Sequence, residues 1–370
     1  MIALSGVPFF KAEPTGWPVY YKEDWDDARE RYSSFWKGEV IDRPAINVTS
    51  LKAGVDRGPH WDNWDFARHP DDPDTAIDNF LARCDATYFG GEGFPNCWIN
   101  LGAGAVAAFL GADTKFQSYT VWFEAHMEWN ELLDLELDPQ NSWWLRARRN
   151  TELASSRGAG KFAVGMVDLG GILDVAHSLR GKKRLMIDLF RSPEEVKDLC
   201  WRIVDIWHAC YEELYAITQK VMPGNSAWMG LWSDDRWYPL QCDYAYMLSP
   251  KKFEDFVFPF VAEQCRRLDH SVYHLDGYGQ MIHLDRFLEI PELDAIQWVP
   301  GAGKPGCGSI EYYPMYERIR DAGKGLVVNL SPGKIEPICR ALGPEGIMFQ
   351  TGCRTEEEAR KLLEDSENWV

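Results

Sequence analysis

Apolar residues recur at two spacings along the chain: every three or four positions in some stretches, and short unbroken runs in others. From about residue 40 onward the two alternate. Between Thr75 and Tyr88, the stripe Ile77, Phe80, Leu81 and Cys84 predicts a helix. Ser192-Pro193-Glu194-Glu195, a capping box with proline at the first helical position, opens a longer one. Its buried face carries Val196, Leu199, Cys200, Ile203, Val204, Trp207, Tyr211 and Leu214. Ser249-Pro250 starts a third, with Phe253, Phe256, Val257, Phe260 and Val261. Helices are also predicted over 23–36, 105–110 and 139–157, and strands over 43–48, 96–101, 120–124, 162–167 and 227–231.

The last third repeats one unit tightly. Strands at 271–275, 294–299, 325–330 and 346–350 alternate with helices at 281–288, 315–322, 335–342 and 355–363, the last behind a Thr355–Glu358 capping box. Strands separated by helices pair in parallel, and seven or eight such units predict an α/β fold, a closed (β/α)8 barrel. We expect a single domain over 1–370, with residues 1–40 as an N-terminal extension. Residues 51–74, rich in Asp, Pro, His and Trp, read as a loop insertion.

In a barrel, the C-terminal strand ends surround one cavity. His274 and Asp276, two apart on one strand, point to the same face. Gln297 and Trp298 end the next strand, Asn329 the one after, and Cys353 follows the last. Trp232 and Asp234 read as the end of the strand at 227–231. Imidazole, carboxylate and thiolate together make a zinc ligand set that leaves a fourth position open. Cys353 otherwise packs before a helix cap, and His274 otherwise sits hydrogen-bonded in the barrel. Asp276 is alternatively a general base or a carboxylate that orients His274. Glu124 and Asp234 are further acid/base candidates, each equally readable as half of a loop salt bridge.

Seventeen tryptophans are unusual, and Trp61, Trp64, Trp98, Trp122, Trp228, Trp232, Trp237 and Trp298 fall mostly near predicted loops or strand ends. They read either as barrel packing or as an aromatic-walled pocket. For the pocket, Trp98, Trp122, Trp232, Tyr273, Gln297, Trp298 and Asn329 are the candidate substrate contacts. The net charge of −18 argues against nucleic acid and polyanionic substrates. Nine cysteines without regular spacing do not suggest a disulfide framework, so a reducing, cytoplasmic setting is expected. No apolar run is long enough to span a membrane, and Met1–Phe10 lacks the marks of a signal peptide.

Gln241-Cys242-Asp243-Tyr244, Leu248-Ser249-Pro250-Lys251-Lys252-Phe253, Tyr273-His274-Leu275-Asp276-Gly277 and the run from Ala295 to Gly303 resemble the uroporphyrinogen decarboxylase-like superfamily. The resemblance covers roughly residues 225–365 and implies a (β/α)8 barrel. Its methyltransferase branch binds zinc through a His-x-Cys pair and a distant cysteine. His274 and Cys353 match that pattern, whereas Asp276 stands where the second ligand is Cys. A carboxylate makes the metal less thiophilic, which shifts the expected substrate towards a methyl ether or another oxygen-bearing compound.

The resemblance thus implies a zinc-dependent methyltransferase of O-demethylating type. It would pass a methyl group between a small substrate and cobalamin carried on a corrinoid protein. The alternatives are a metal-assisted lyase or decarboxylase without corrinoid, and a non-catalytic binding protein that keeps the aromatic pocket. Arg43-Pro44 alone, without an arginine-rich run, disfavours porphyrinogen decarboxylation itself. Expected partners are the small molecule and the corrinoid protein, with a homodimer left open.

Overall fold

The computed structural model describes residues 20–56, 63–117 and 119–370. Trp61 and the Met1–Phe10 segment lie outside the described residues. The strands are β1 (Ala45–Leu51), β2 (Thr87–Gly91), β3 (Asn96–Trp98), β4 (Asp113–Gln117), β5 (Thr120–Glu124), β6 (Ala163–Met166) and β7 (Asn225–Ala227). They continue as β8 (Trp232–Ser233), β9 (Trp237–Leu240), β10 (His270–Asp276), β11 (Ala295–Val299), β12 (Gly325–Asn329) and β13 (Ile347–Thr355).

A seven-stranded sheet runs β2-β1-β13-β12-β11-β10-β9, a four-stranded one β3-β6-β7-β8, and β4–β5 form a hairpin. Apart from its antiparallel edge β2, the large sheet is parallel throughout, as the alternation of strands and helices requires. The hydrogen-bonded ladders do not close into the expected ring. Two reversals explain this: β2 turns back antiparallel along β1, and β8 folds back on β7, so each fills an edge that a parallel neighbour would need. At the seam between β7 and β9, side chains replace the ladder. Asn225 Nδ2 donates to the Trp237 carbonyl at 3.0 Å, and Trp237 Nε1 donates to the Asn225 carbonyl at 2.8 Å.

The helices form where their apolar stripes pack on these sheets. Pro193–Gln219 buries the predicted face, including Trp207 and Tyr211. The helix predicted after Ser249 is broken into Pro250–Phe256 and Phe258–Arg266, because Pro259 has no N–H to continue the first. The N-terminal helix Trp25–Trp36 packs into the core through Trp25, Tyr32 and Phe35. Behind it the buried Arg43 and Glu92 form a bidentate ion pair, both bonds 2.8 Å, and Glu92 also accepts the Ile46 N–H. No helix among the described residues is long and apolar enough to cross a membrane.

Parallel register puts His274, Gln297, Val327, Met348 and Ala45 side by side on one face of the large sheet. One layer nearer the C-terminal ends, Asp276, Val299, Asn329, Gln350 and Asn47 share that face. The turn after β7 enters the space in front of this face. Asn96 Nδ2 donates to the Ala227 carbonyl (2.9 Å), Gln350 Nε2 to Met229 (2.7 Å) and Asn47 Nδ2 to Gly230 (3.3 Å). Three amides from three strands thus hold four consecutive residues, and Trp228 among them.

Candidate active site at the end of strand β10

β10 delivers His274 and Asp276 to the shared face, both partly exposed. Gly277, at φ 82°, then turns the chain away, a conformation that suits glycine. His274 Nδ1 lies 2.6 Å from the Gln297 side-chain oxygen, its register neighbour on β11. That oxygen can only accept, so Nδ1 carries the hydrogen and Nε2 keeps a lone pair. On its other side His274 meets Trp228 edge to face, with ring centres 5.1 Å apart.

Asp243, at the start of the turn after β9, interacts electrostatically with both His274 and Asp276. Desolvation raises its carboxyl above the ordinary range; the neighbouring His274 pulls it down and Asp276 pushes it further up. Its side chain is nevertheless open to solvent, the combination expected on the floor of a concavity. Asp174 fixes that turn by accepting the N–H groups of Asp243 (2.9 Å) and Tyr244 (2.8 Å). Burial first, and then the Asp243 charge, push the Asp174 carboxyl up to about 7. Asp168, fully buried beyond β6, is also pushed up to about 7 by desolvation, although the Gly170 N–H stabilises its charged form.

The other expected residues divide between this site and other places. Gln297 belongs to it. Trp98 stands at the C-terminal end of β3, on the Asn96 face, and Asn329 is exposed at the end of β12. Tyr273 and Trp298 occupy alternate positions on their strands and face the other way. Tyr273 is buried against Phe287 and donates to Gln280 at 2.9 Å, while Trp298 packs on Tyr278 and Tyr312. Trp122 is exposed on the β4–β5 hairpin, where Glu124 pairs with Lys115 at 2.7 Å. Trp232 and Asp234 come to the opposite end of the strands, because β8 runs antiparallel to β7. There Trp232 packs on Trp25, and Asp234 receives a bidentate Arg29.

Cys353 does not meet the His274–Asp276 pair. It lies three strands from β10, within the register shift between β1 and β13. It lines a cavity of about 450 Å³ with Thr49, Leu51 and Arg83. Desolvation, and secondarily Glu358, raise its thiol above the usual range. Among the described residues no three His, Cys, Asp or Glu side chains are grouped to hold a metal ion. The described side chains do not bring the zinc set expected from the sequence together as one group.

Asp168, Asp174 and Asp243 were missed as site residues. Their signal was nonetheless present: Asp168 ends the apolar run 162–167, and strand ends are where active sites gather. The chain matches no known protein-family model and no characterised protein.

Proposed function

We propose that this chain is an enzyme whose chemistry is proton transfer by His274 on a small molecule bound at the C-terminal strand ends. On this reading the two parallel sheets are the halves of an open (β/α)8 arrangement. The observation that carries the proposal is the 2.6 Å contact from His274 Nδ1 to Gln297, which leaves the Nε2 lone pair of the neutral ring free, with Asp243 acting on the same imidazole. A neutral imidazole in one tautomer accepts a proton at Nε2, and the adjacent carboxylates stabilise the imidazolium that results. Asp243, whose carboxyl desolvation and Asp276 raise above the ordinary range, supplies the acid partner. One base and one acid of separated proton affinity suit a lyase or decarboxylase acting on substrate alone.

The test is turnover of a panel of small oxygen-bearing compounds, followed by mass spectrometry, with wild type and His274→Gln side by side. Loss of about 10²–10⁴-fold in rate is expected for the variant. Full activity in His274→Gln would remove the reading. The same Nε2 lone pair is also what a metal-ligating imidazole presents, which keeps corrinoid-linked methyl transfer as a second reading. Metal content, and a cobalt spectral change on mixing with a corrinoid protein, separate the two.

A further inference from the structure

Two indole N–H groups beside this centre have nothing to donate to. Trp98 Nε1 and Trp228 Nε1 are buried without a hydrogen-bond partner among the described residues, as is the Asn96 side-chain oxygen. One strand and one hydrogen bond link the three. Asn96 and Trp98 share one face of β3, the Asn96 amide donates to the Ala227 carbonyl, and Trp228 is the next residue. Trp228 in turn stands against His274. A buried donor left unsatisfied is costly, and native proteins keep few of them. Elsewhere among the described residues Trp36, Trp207 and Trp237 each donate to a backbone carbonyl, while Trp298 Nε1, facing the other way, is also unanswered. Two unanswered donors on segments joined by the Asn96–Ala227 hydrogen bond suggest where an acceptor belongs.

The Trp228 donor is also held in place. The carbonyls before and after it are gripped by Asn96, Gln350 and Asn47, so the turn is not free to swing the indole elsewhere. That is the preorganisation expected of a binding group.

We infer that Trp98 and Trp228 are substrate-binding residues whose indole N–H groups donate to an uncharged oxygen of the substrate: a carbonyl, ether or hydroxyl. The charge pattern sets the word uncharged. The charged groups acting on Asp243 are His274 and Asp276, with no lysine or arginine, so a carboxylate or phosphate entering here finds no strong countercharge. An indole N–H binds oxygen through a dipole and requires no countercharge. This inference rests on the acid–base reading of His274 and narrows its substrate to neutral oxygen compounds.

The test follows the tryptophan indole N–H and His274 imidazole resonances of the full chain by heteronuclear NMR. Trp98→Phe and Trp228→Phe assign the two indoles, since phenylalanine keeps a ring and removes the donor. The probes are para-methoxyacetophenone (neutral), para-methoxybenzoate (anionic) and para-methoxybenzylammonium (cationic). The neutral probe is expected to move both indole resonances downfield and saturably, and the anion to bind at least tenfold more weakly. Loss of one such hydrogen bond in Trp228→Phe should weaken the neutral probe about five- to tenfold. If the imidazole responds and neither indole does, the inference falls while the acid–base reading stands. If the cation alone binds, carboxylates do the recognising, and the inference falls again. Silence of indoles and imidazole to all three probes would overturn both.

Discussion

Gln297 holds His274 by its Nδ1 at 2.6 Å, and the two are direct register partners on adjacent parallel strands. The contact is built into the sheet, since any slip of β11 against β10 moves the glutamine off the ring. Gln297→Leu keeps comparable bulk and removes the acceptor. The expected result is a mixed population of the two neutral imidazole tautomers, read from the His274 ring-nitrogen shifts. Loss of such an orienting partner typically lowers activity about 10–100-fold. A variant with one tautomer and full activity would show that Gln297 does not set the ring.

Asp168 and Asp174 give the fold a definite pH dependence. Both carboxyls are raised to about 7 in the folded chain, against about 3.9 when unfolded. The folded state therefore holds protons that the unfolded chain has released, and stability falls as pH rises from about 4 to about 7. Asp168→Asn removes one of these groups and can still accept the Gly170 N–H through its amide oxygen. Urea unfolding at pH 5 and pH 8 should show a smaller loss in the variant, by on the order of 2 kcal/mol. Equal losses in both proteins would contradict the raised Asp168 carboxyl.

Removing Arg43 should be among the more damaging single changes. Glu92 is fully buried and answered by Arg43 through two bonds, close to where β1 begins. Arg43→Met leaves that carboxylate without its bidentate partner in a low-dielectric interior. The expected loss is about 3–5 kcal/mol, measured by chemical denaturation. The double variant Arg43→Met, Glu92→Leu should recover part of it, because the unanswered charge is then gone.

Period-two alternation explains both what was legible in the sequence and what was not. It correctly put His274 and Asp276 on one face, and the parallel order of β10 to β13 followed from the repeating helices between them. The same rule, applied one residue either way, turns Tyr273 and Trp298 outward. The errors came from long-range geometry. The reversal after Gly230 that carries Asp234 to the far end depends on β8 pairing back onto β7, and no local pattern announces it. Asp174 acts through backbone N–H groups some seventy residues away, a contact that only the folded chain creates.

The turn over His274 should loosen when its amide anchors are cut. Gln350→Leu removes the donor to the Met229 carbonyl and Asn47→Leu the donor to Gly230. Each is expected to cost about 1 kcal/mol of local stability. Hydrogen exchange at residues 228–231 should then quicken, while β11 and β12 keep their protection. Uniform acceleration across the chain would instead mean that the amides support the whole fold and not this turn.

Cys353 provides the sharpest separation between the sequence pattern and the folded arrangement. It is the one cysteine among the described residues that is not buried, and it opens onto the cavity beside Arg83. Native alkylation with iodoacetamide should therefore modify Cys353 alone, and slowly, because desolvation and Glu358 disfavour its thiolate. Cys353→Ser should leave metal content and turnover within about twofold of wild type, as expected of a residue not grouped with His274 and Asp276. His274→Gln, by contrast, should lower turnover about 10²–10⁴-fold. If both substitutions remove the same bound metal ion, the strand ends rearrange around that ion. The distant cysteine then belongs to the site after all.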